Sequence, residues 1–211
     1  MKKLVIIGTG GFAREVYWHA QNSLGYGNEY IFKCFVEGNV PIDENRIKTL
    51  PDVFEGSILE YKVQEDDVFT IAIANSEVKK FIASYVTQKG GNFINLIHKT
   101  TMISPLSKVG KGIILCPFTS VSCNVHIGNY VMLNSYSSIG HDAIIGDYSS
   151  IMGHVDITGN VVVGESTYWG SGSRALPHSK IGDHSVVGAG SVVLKRIKSG
   201  ITVFGNPAMP I

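Results

Sequence analysis

From Ile103 onward an aliphatic residue recurs every six positions, and that register leaves the second half of the chain very few folds. Stepping by six from Ile103 gives Val109, Leu115, Val121, Ile127, Leu133, Ile139, Ile145, Ile151, Ile157, Val163, Trp169, Ala175, Ile181, Val187 and Val193. All sixteen positions are apolar, fourteen are Ile, Val or Leu, and the step fails at Ser199. The dipeptides Val109-Gly110, Ile127-Gly128, Ile145-Gly146, Val163-Gly164 and Ile181-Gly182 add a longer period of 18 residues. Four residues after most register positions sits something small, such as Thr119, Ser137, Ala143, Ser149, Ser173, Ser185 or Ser191. A six-residue repeat inside an 18-residue repeat predicts a parallel β-helix with three short strands per coil and five complete coils from Ile103 to Val193. One aliphatic side chain per strand points inward and stacks on its equivalents, and the small residue leaves room for it. Glycine after the register residue serves backbone geometry and close approach. An ordinary β-sandwich has no reason to keep such a register, and Trp169, in a register slot, reads as a bulky core filler.

The first hundred residues follow a different period. Lys3–Ile7, Tyr30–Val36, Val68–Ala74 and Phe93–Ile97 read as four strands. Phe12, Val16, Tyr17 and Ala20 mark an amphipathic helix over 12–21, and Ser76 caps a second helix that runs to Gln88 and stops at Gly90-Gly91. Strands separated by helices imply a small parallel sheet, a truncated Rossmann-like domain over residues 1–98, with the β-helix over 99–211.

Charge and cysteine usage narrow the function. The 211 residues carry 18 Lys+Arg and 17 Asp+Glu, a net charge of +1, with no basic stripe to bind nucleic acid. Only 17% of residues are charged and 44% are hydrophobic, which excludes disorder. Leu4–Ile7 is too short for a signal-peptide core, and no apolar run is long enough for a membrane span. Three unclustered cysteines, Cys34, Cys116 and Cys123, suggest reduced thiols in a cytoplasm. Cys116 and Cys123 read as small coil residues.

Two clusters can carry chemistry. His141 lies two residues past Ile139, at a coil corner with its side chain outward, and Asp142 follows it. An imidazole can accept a proton near neutral pH, and an adjacent carboxylate can orient the ring and stabilise the imidazolium. The other histidines of the coil, His126, His154, His178 and His184, occupy mixed register positions, which gives no support to a metal site. At the N-terminus, Gly8, Gly10 and Ala13 form a G-x-G-x-x-A turn, with acidic Glu37 ending the second strand. Backbone amides after Gly11 can cradle a pyrophosphate. About a hundred residues with four strands are too few for both halves of an NAD site.

These motifs together resemble one family. The turn Gly8–Gly11, the segment Ile71-Ala72-Ile73-Ala74-Asn75, Leu96-Ile97-His98-Lys99, Ile139-Gly140-His141-Asp142 and Phe204-Gly205-Asn206-Pro207-Ala208 occur in its order. The chain is similar over nearly its whole length to hexapeptide-repeat acetyltransferases that N-acetylate 4-amino sugars on a nucleotide diphosphate, with sialic acid O-acetyltransferases as relatives. The resemblance implies a left-handed coil, against the usual right-handed crossover, and a homotrimer with sites between neighbouring coils.

It also implies roles. His141 is the general base and Asp142 raises its basicity. The Gly159 N–H polarises the thioester carbonyl of acetyl-CoA, which is a co-substrate; no metal is implied. Ser171 and Ala189 line the acetyl-CoA cleft, and Gly205 to Ala208, with Pro207, close one end. Gly8, Gly10, Gly11, Phe12, Ala13, Glu37 and Gly38 lie near the nucleotide and Asn75 near the sugar diphosphate. The chain departs from the family at three places. Ser150 stands where a second histidine touches acetyl-CoA, Met209 follows Pro-Ala in place of a basic residue, and Gly38 replaces a second acidic residue. The implied reaction is acetyl transfer to the 4-amino group of a UDP-, dTDP- or GDP-linked 4-amino-4,6-dideoxy sugar for a surface glycan such as lipopolysaccharide O-antigen. The alternative is O-acetylation of a sugar hydroxyl such as that of sialic acid.

Overall fold

A computed structural model describes residues 1–38 and 42–211. The chain divides into two compact units, Met1–Lys99 and Thr100–Ile211. In the first, β1 (Lys2–Ile7) leads through a glycine turn into α1 (Gly11–Gln21), β2 (Tyr30–Glu37), a single turn α2 (Glu44–Ile47), β3 (Phe54–Ser57), β4 (Asp67–Ile71), α3 (Ser76–Gln88) and β5 (Asn92–Phe93). The strands of this sheet all pair in parallel, in the order β3-β2-β1-β4-β5. Leu4, Val5, Ile6 and Ile7 of the central strand are fully buried, as a strand covered on both faces requires.

Four strands were expected here and five are present. The extra edge strand, Phe54-Glu55-Gly56-Ser57, is too short and polar to register as a hydrophobic run. The expected strand over 93–97 is divided into Asn92–Phe93 and Leu96–Ile97. Helix α1 buries Ala13, Val16, His19 and Ala20, so its inward stripe is rotated from the expected one toward His19 and away from Tyr17. The cap of α3 is Asn75 instead of Ser76: its Oδ1 accepts from the Val78 N–H at 3.0 Å.

The second unit follows the sixfold register. One face stacks Met102–Ile103, Ser120–Val121, Ser138–Ile139, Asp156–Ile157, Arg174–Ala175 and Val192–Val193 in parallel. The second face runs from Lys108–Val109 to Arg196–Ile197, and the third includes Met132–Leu133, Ser150–Ile151, Tyr168–Trp169 and Val186–Val187. Register residues from Leu115 to Val193 are buried, Trp169 completely, its indole Nε1 donating to Thr167 Oγ1. The register fails at Ser199 because the last coil is two residues shorter: Ile181 pairs with Ile197 and Val187 with Val203.

Two local rules recur at the corners. Glycine after the register residue is there for close approach: a Cβ on Gly110, Gly140 or Gly146 would lie 2.5–2.6 Å from backbone of the next coil. Left-handed backbone falls two residues later, where eleven non-glycine residues from Phe118 to His184 have φ of 55–66°. Corner rings therefore stack at the coil spacing, as in Phe118–Tyr136 (4.9 Å) and Tyr136–His154 (5.0 Å). The small inward residue has a polar duty as well as a steric one. Ser137 Oγ donates to Met152 O and accepts from Val155 N–H, supplying buried corner backbone groups with partners.

Candidate active site

His141 is at the corner that follows the first face, with its side chain 61% exposed. Its Nδ1 lies 2.7 Å from Asp142 Oδ2, and Asp142 Oδ1 accepts from Asn124 Nδ2 at 3.2 Å. Hydrogen bonds from His141 first and Asn124 second hold the Asp142 carboxyl below its usual range, so it is ionised and acts as acceptor. The proton of a neutral imidazole then sits on Nδ1, leaving the Nε2 lone pair free to take another. That edge of the ring faces Gly159, one coil on: a Cβ there would lie 2.6 Å from both Cε1 and Nε2. The Gly159 carbonyl accepts from His178 N–H, but its own N–H has no hydrogen-bond acceptor among the described residues. A base with a free lone pair and an unused backbone donor thus share one corner.

Ser171 and Ala189 occupy a single column at the other edge of the first face, at the corner that follows the third. The chain does not bring them to His141. It does bring the C-terminal segment to Ala189: Gly205 donates to Ser191 Oγ and accepts from Val192 N–H, and Phe204 fills the space over Gly188. Asn206-Pro207 is a cis peptide bond in this segment. Ser150 is only 1% exposed, in the strand Ser150–Ile151 of the third face.

In the first unit the expected residues converge at the carboxyl ends of β1, β2 and β4. There the strand order reverses between β1 and β4, the place where open parallel sheets bind ligands. Gly8, at φ +125°, could not carry a side chain: a Cβ would lie 2.9 Å from Ala72 O. Gly10 caps α1 without a side chain, so the amides of Gly11 and Phe12 open the helix, and Ala13 is buried behind them. Glu37 is buried, and Thr9 donates a hydrogen bond to its Oε2. A Cβ on Gly38 would lie 2.6 Å from the terminal carbons of Ile73 and Ile82, so the slot for a second acidic side chain is filled with hydrocarbon.

Two residues of these clusters were missed from sequence. Asn124 was legible in principle, since it lies one 18-residue period before Asp142. Thr9 had no signal, because its partner is 28 residues away on another strand.

A family of bacterial transferase hexapeptides, described by six repeats, matches residues 124–159 and 160–195. Over 149 residues the chain is 34% identical to a GDP-perosamine N-acetyltransferase of Escherichia coli O157:H7; the match spans 66%, just under two thirds, of each protein. The acetyltransferase domain of PglB from Neisseria gonorrhoeae FA1090, solved in complex with acetyl coenzyme A, matches at a TM-score of 0.86 and 25% identity over 100% of this chain and 99% of that one. PerB from Caulobacter crescentus, solved with CoA and GDP-perosamine, matches at 0.88 and 23% identity over 100% and 98%, a likeness of fold. The repeats and these neighbours make the coil a left-handed β-helix.

Proposed function

The chain belongs to the hexapeptide-repeat acetyltransferases, and from that premise we propose that it transfers the acetyl group of acetyl-CoA to the 4-amino group of a nucleotide-linked 4-amino-4,6-dideoxy sugar. One observation carries the proposal. The free Nε2 edge of His141, backed by Asp142, stands at the same corner as the unused N–H of Gly159.

The chemistry follows from those two groups. The sugar amine, in its uncharged form, attacks the thioester carbonyl carbon, and a C–N bond forms. Negative charge moves to the carbonyl oxygen, where the Gly159 N–H stabilises it. His141 Nε2 takes the proton leaving the nitrogen, and Asp142 stabilises the imidazolium. Collapse of the tetrahedral adduct breaks the C–S bond, and the proton passes from His141 to the departing thiolate, giving CoA-SH and the amide. No covalent enzyme intermediate is needed. Proton transfer of this kind contributes about 10²–10⁴-fold in rate.

The first unit is a truncated Rossmann-like domain that holds the nucleotide-sugar in this reading. The amides of Gly11 and Phe12 at the uncapped start of α1 suit its diphosphate, and buried Glu37 suits hydrogen-bond donors of the nucleoside. The GDP-perosamine N-acetyltransferase relative makes a GDP-linked amino sugar the first acceptor to offer. The second unit takes acetyl-CoA along Ser171, Ala189, Gly205 and Pro207. Because His141 and Ser171 lie at opposite edges of one face, the reading needs a second copy: a homotrimer sets the His141 corner of one subunit against the Ser171 corner of its neighbour.

The test is release of CoA thiol from acetyl-CoA with GDP-, UDP- and dTDP-linked 4-amino-4,6-dideoxy sugars offered separately. Turnover above about 1 s⁻¹ with one of them, typical of an enzyme on its own substrate, supports the reading. Acetyl-CoA binding without turnover on any amine transfers the proposal to a hydroxyl acceptor such as sialic acid.

A further inference from the structure

The corner that carries His141 contains a third polar side chain, Asn124. Asn124, Asp142, Asn160 and His178 form one column of corner residues at 18-residue intervals, and the first three have φ of 57–59°. Asn124 and Asp142 are joined side chain to side chain, Nδ2 to Oδ1, while the other carboxylate oxygen meets His141 Nδ1. We infer that Asn124 is a positioning residue for the transfer reaction, locking the Asp142 carboxylate in the plane that receives the His141 Nδ1–H.

His141 and Asp142 are 61% and 46% exposed, so packing alone does not lock the carboxylate. Rotation about the last bond of an aspartate is broad and roughly two-fold, so a solvent-facing carboxylate bound through one oxygen can swing away from its partner. A second hydrogen bond on the other oxygen removes that freedom. The donor comes from a backbone set one coil away, whose position the ladder between Ser120–Val121 and Ser138–Ile139 determines. An asparagine suits the place twice over, since it tolerates left-handed backbone and its amide donates without adding charge. The titratable groups of this corner stack are Cys123, His141, Asp142, His178 and, in the last coil, Lys195. Only Asp142 among them has a hydrogen bond to the His141 ring within the described residues.

This inference rests on the His141 base reading, and the experiment separates the two. Asn124→Gly keeps a residue at ease in left-handed backbone and deletes the side chain with its amide donor. If Asn124 serves the corner's backbone alone, this variant behaves as the wild type. If it positions Asp142, kcat falls about three- to tenfold while KM for acetyl-CoA and for the acceptor stays within twofold. With the carboxylate accepting from Nδ1–H, the neutral ring carries its proton on Nδ1, and ¹⁵N NMR of the ring in the free protein reads that tautomer. Asn124→Gly is expected to move part of the neutral population to the Nε2–H tautomer, and Asp142→Asn to move more. An unchanged tautomer balance in Asn124→Gly overturns the inference, whatever the activity. A shifted balance in a protein whose His141→Ala variant remains fully active sustains the Asn124–Asp142–His141 chain and overturns the base reading instead. Asn124→Asp, which keeps the shape but sets carboxylate against carboxylate, is expected to lower kcat more than Asn124→Gly.

Discussion

The edge of the His141 ring occupies the space that a side chain on residue 159 would need: a Cβ there would lie 2.6 Å from Cε1 and from Nε2. Gly159 is thus the floor on which the imidazole rests, besides offering its N–H. Its φ lies outside the left-handed region, so alanine is tolerated by the backbone. Gly159→Ala is expected to displace the exposed ring at little cost in stability, within about 0.5 kcal/mol. It should lower kcat about a hundredfold. His141→Ala should lower it about 10²–10⁴-fold with KM nearly unchanged. Steady-state kinetics beside a thermal melt of each variant checks both; activity within a few-fold of wild type in His141→Ala removes the base assignment.

Glu37 is buried at the end of β2 and takes a hydrogen bond from Thr9. Glu37→Gln keeps the size and can still accept from Thr9, but loses the charge. Hydrogen bonds to charged groups contribute about 1.5–3 kcal/mol. KM for the nucleotide-sugar should therefore rise about tenfold or more, with KM for acetyl-CoA unchanged. Equal effects on both substrates would separate Glu37 from nucleotide binding.

His19 is buried on α1, its ring centroid 6.0 Å from that of His98 and its Nδ1 without a hydrogen-bond partner among the described residues. Burial first, and the neighbouring His98 second, push its pKa down to about 4. The unfolded chain binds this proton near pH 6.5 and the folded chain does not, so unfolding takes up a proton between these values. The stability linked to His19 is complete above about pH 6.5 and is lost as the pH falls toward about 4, up to roughly 3 kcal/mol. Urea unfolding at pH 7 and pH 4.5 measures it. His19→Leu should lose markedly less stability between the two pH values than the wild type.

Cys123 is the exposed thiol of the three, one coil before His141 in the same corner column, and Asp142 N–H donates to its carbonyl. Cys34 and Cys116 are buried, and burial pushes the Cys34 thiol up to about 12. Iodoacetamide should therefore modify Cys123 first in the folded protein. The adduct beside His141 should lower activity several-fold, with acetyl-CoA slowing the labelling. Mass spectrometry of the labelled peptide and residual activity report the two effects.

The coil was legible because its register repeats: an inward Ile, Val or Leu every six residues survives any local exception, and even Trp169 in its slot is buried as expected. Where the register fails, at Ser199, the cause is a shortened coil, which pairing reveals and spacing alone does not. The edge strand Phe54–Ser57 went unseen because four residues with two polar side chains and a glycine carry no period. Within the site, His141 and Asp142 are neighbours in sequence and needed no fold to be paired. Asn124 reaches them through the 18-residue period, and Thr9 reaches Glu37 only because β1 and β2 lie side by side.

Sequence by itself determined which residues face inward and that His141 and Asp142 stand side by side at a corner, because those follow from period and adjacency along one chain. Tertiary structure decided the rest. It directed Asp142 toward both His141 and Asn124, and it set the ring of His141 against Gly159. It also filled the slot beside Gly38 with Ile73 and Ile82, and set Ser171 and Ala189 at the far edge of the face from His141. These are relations of direction and distance between segments, determined by backbone pairing across coils and strands.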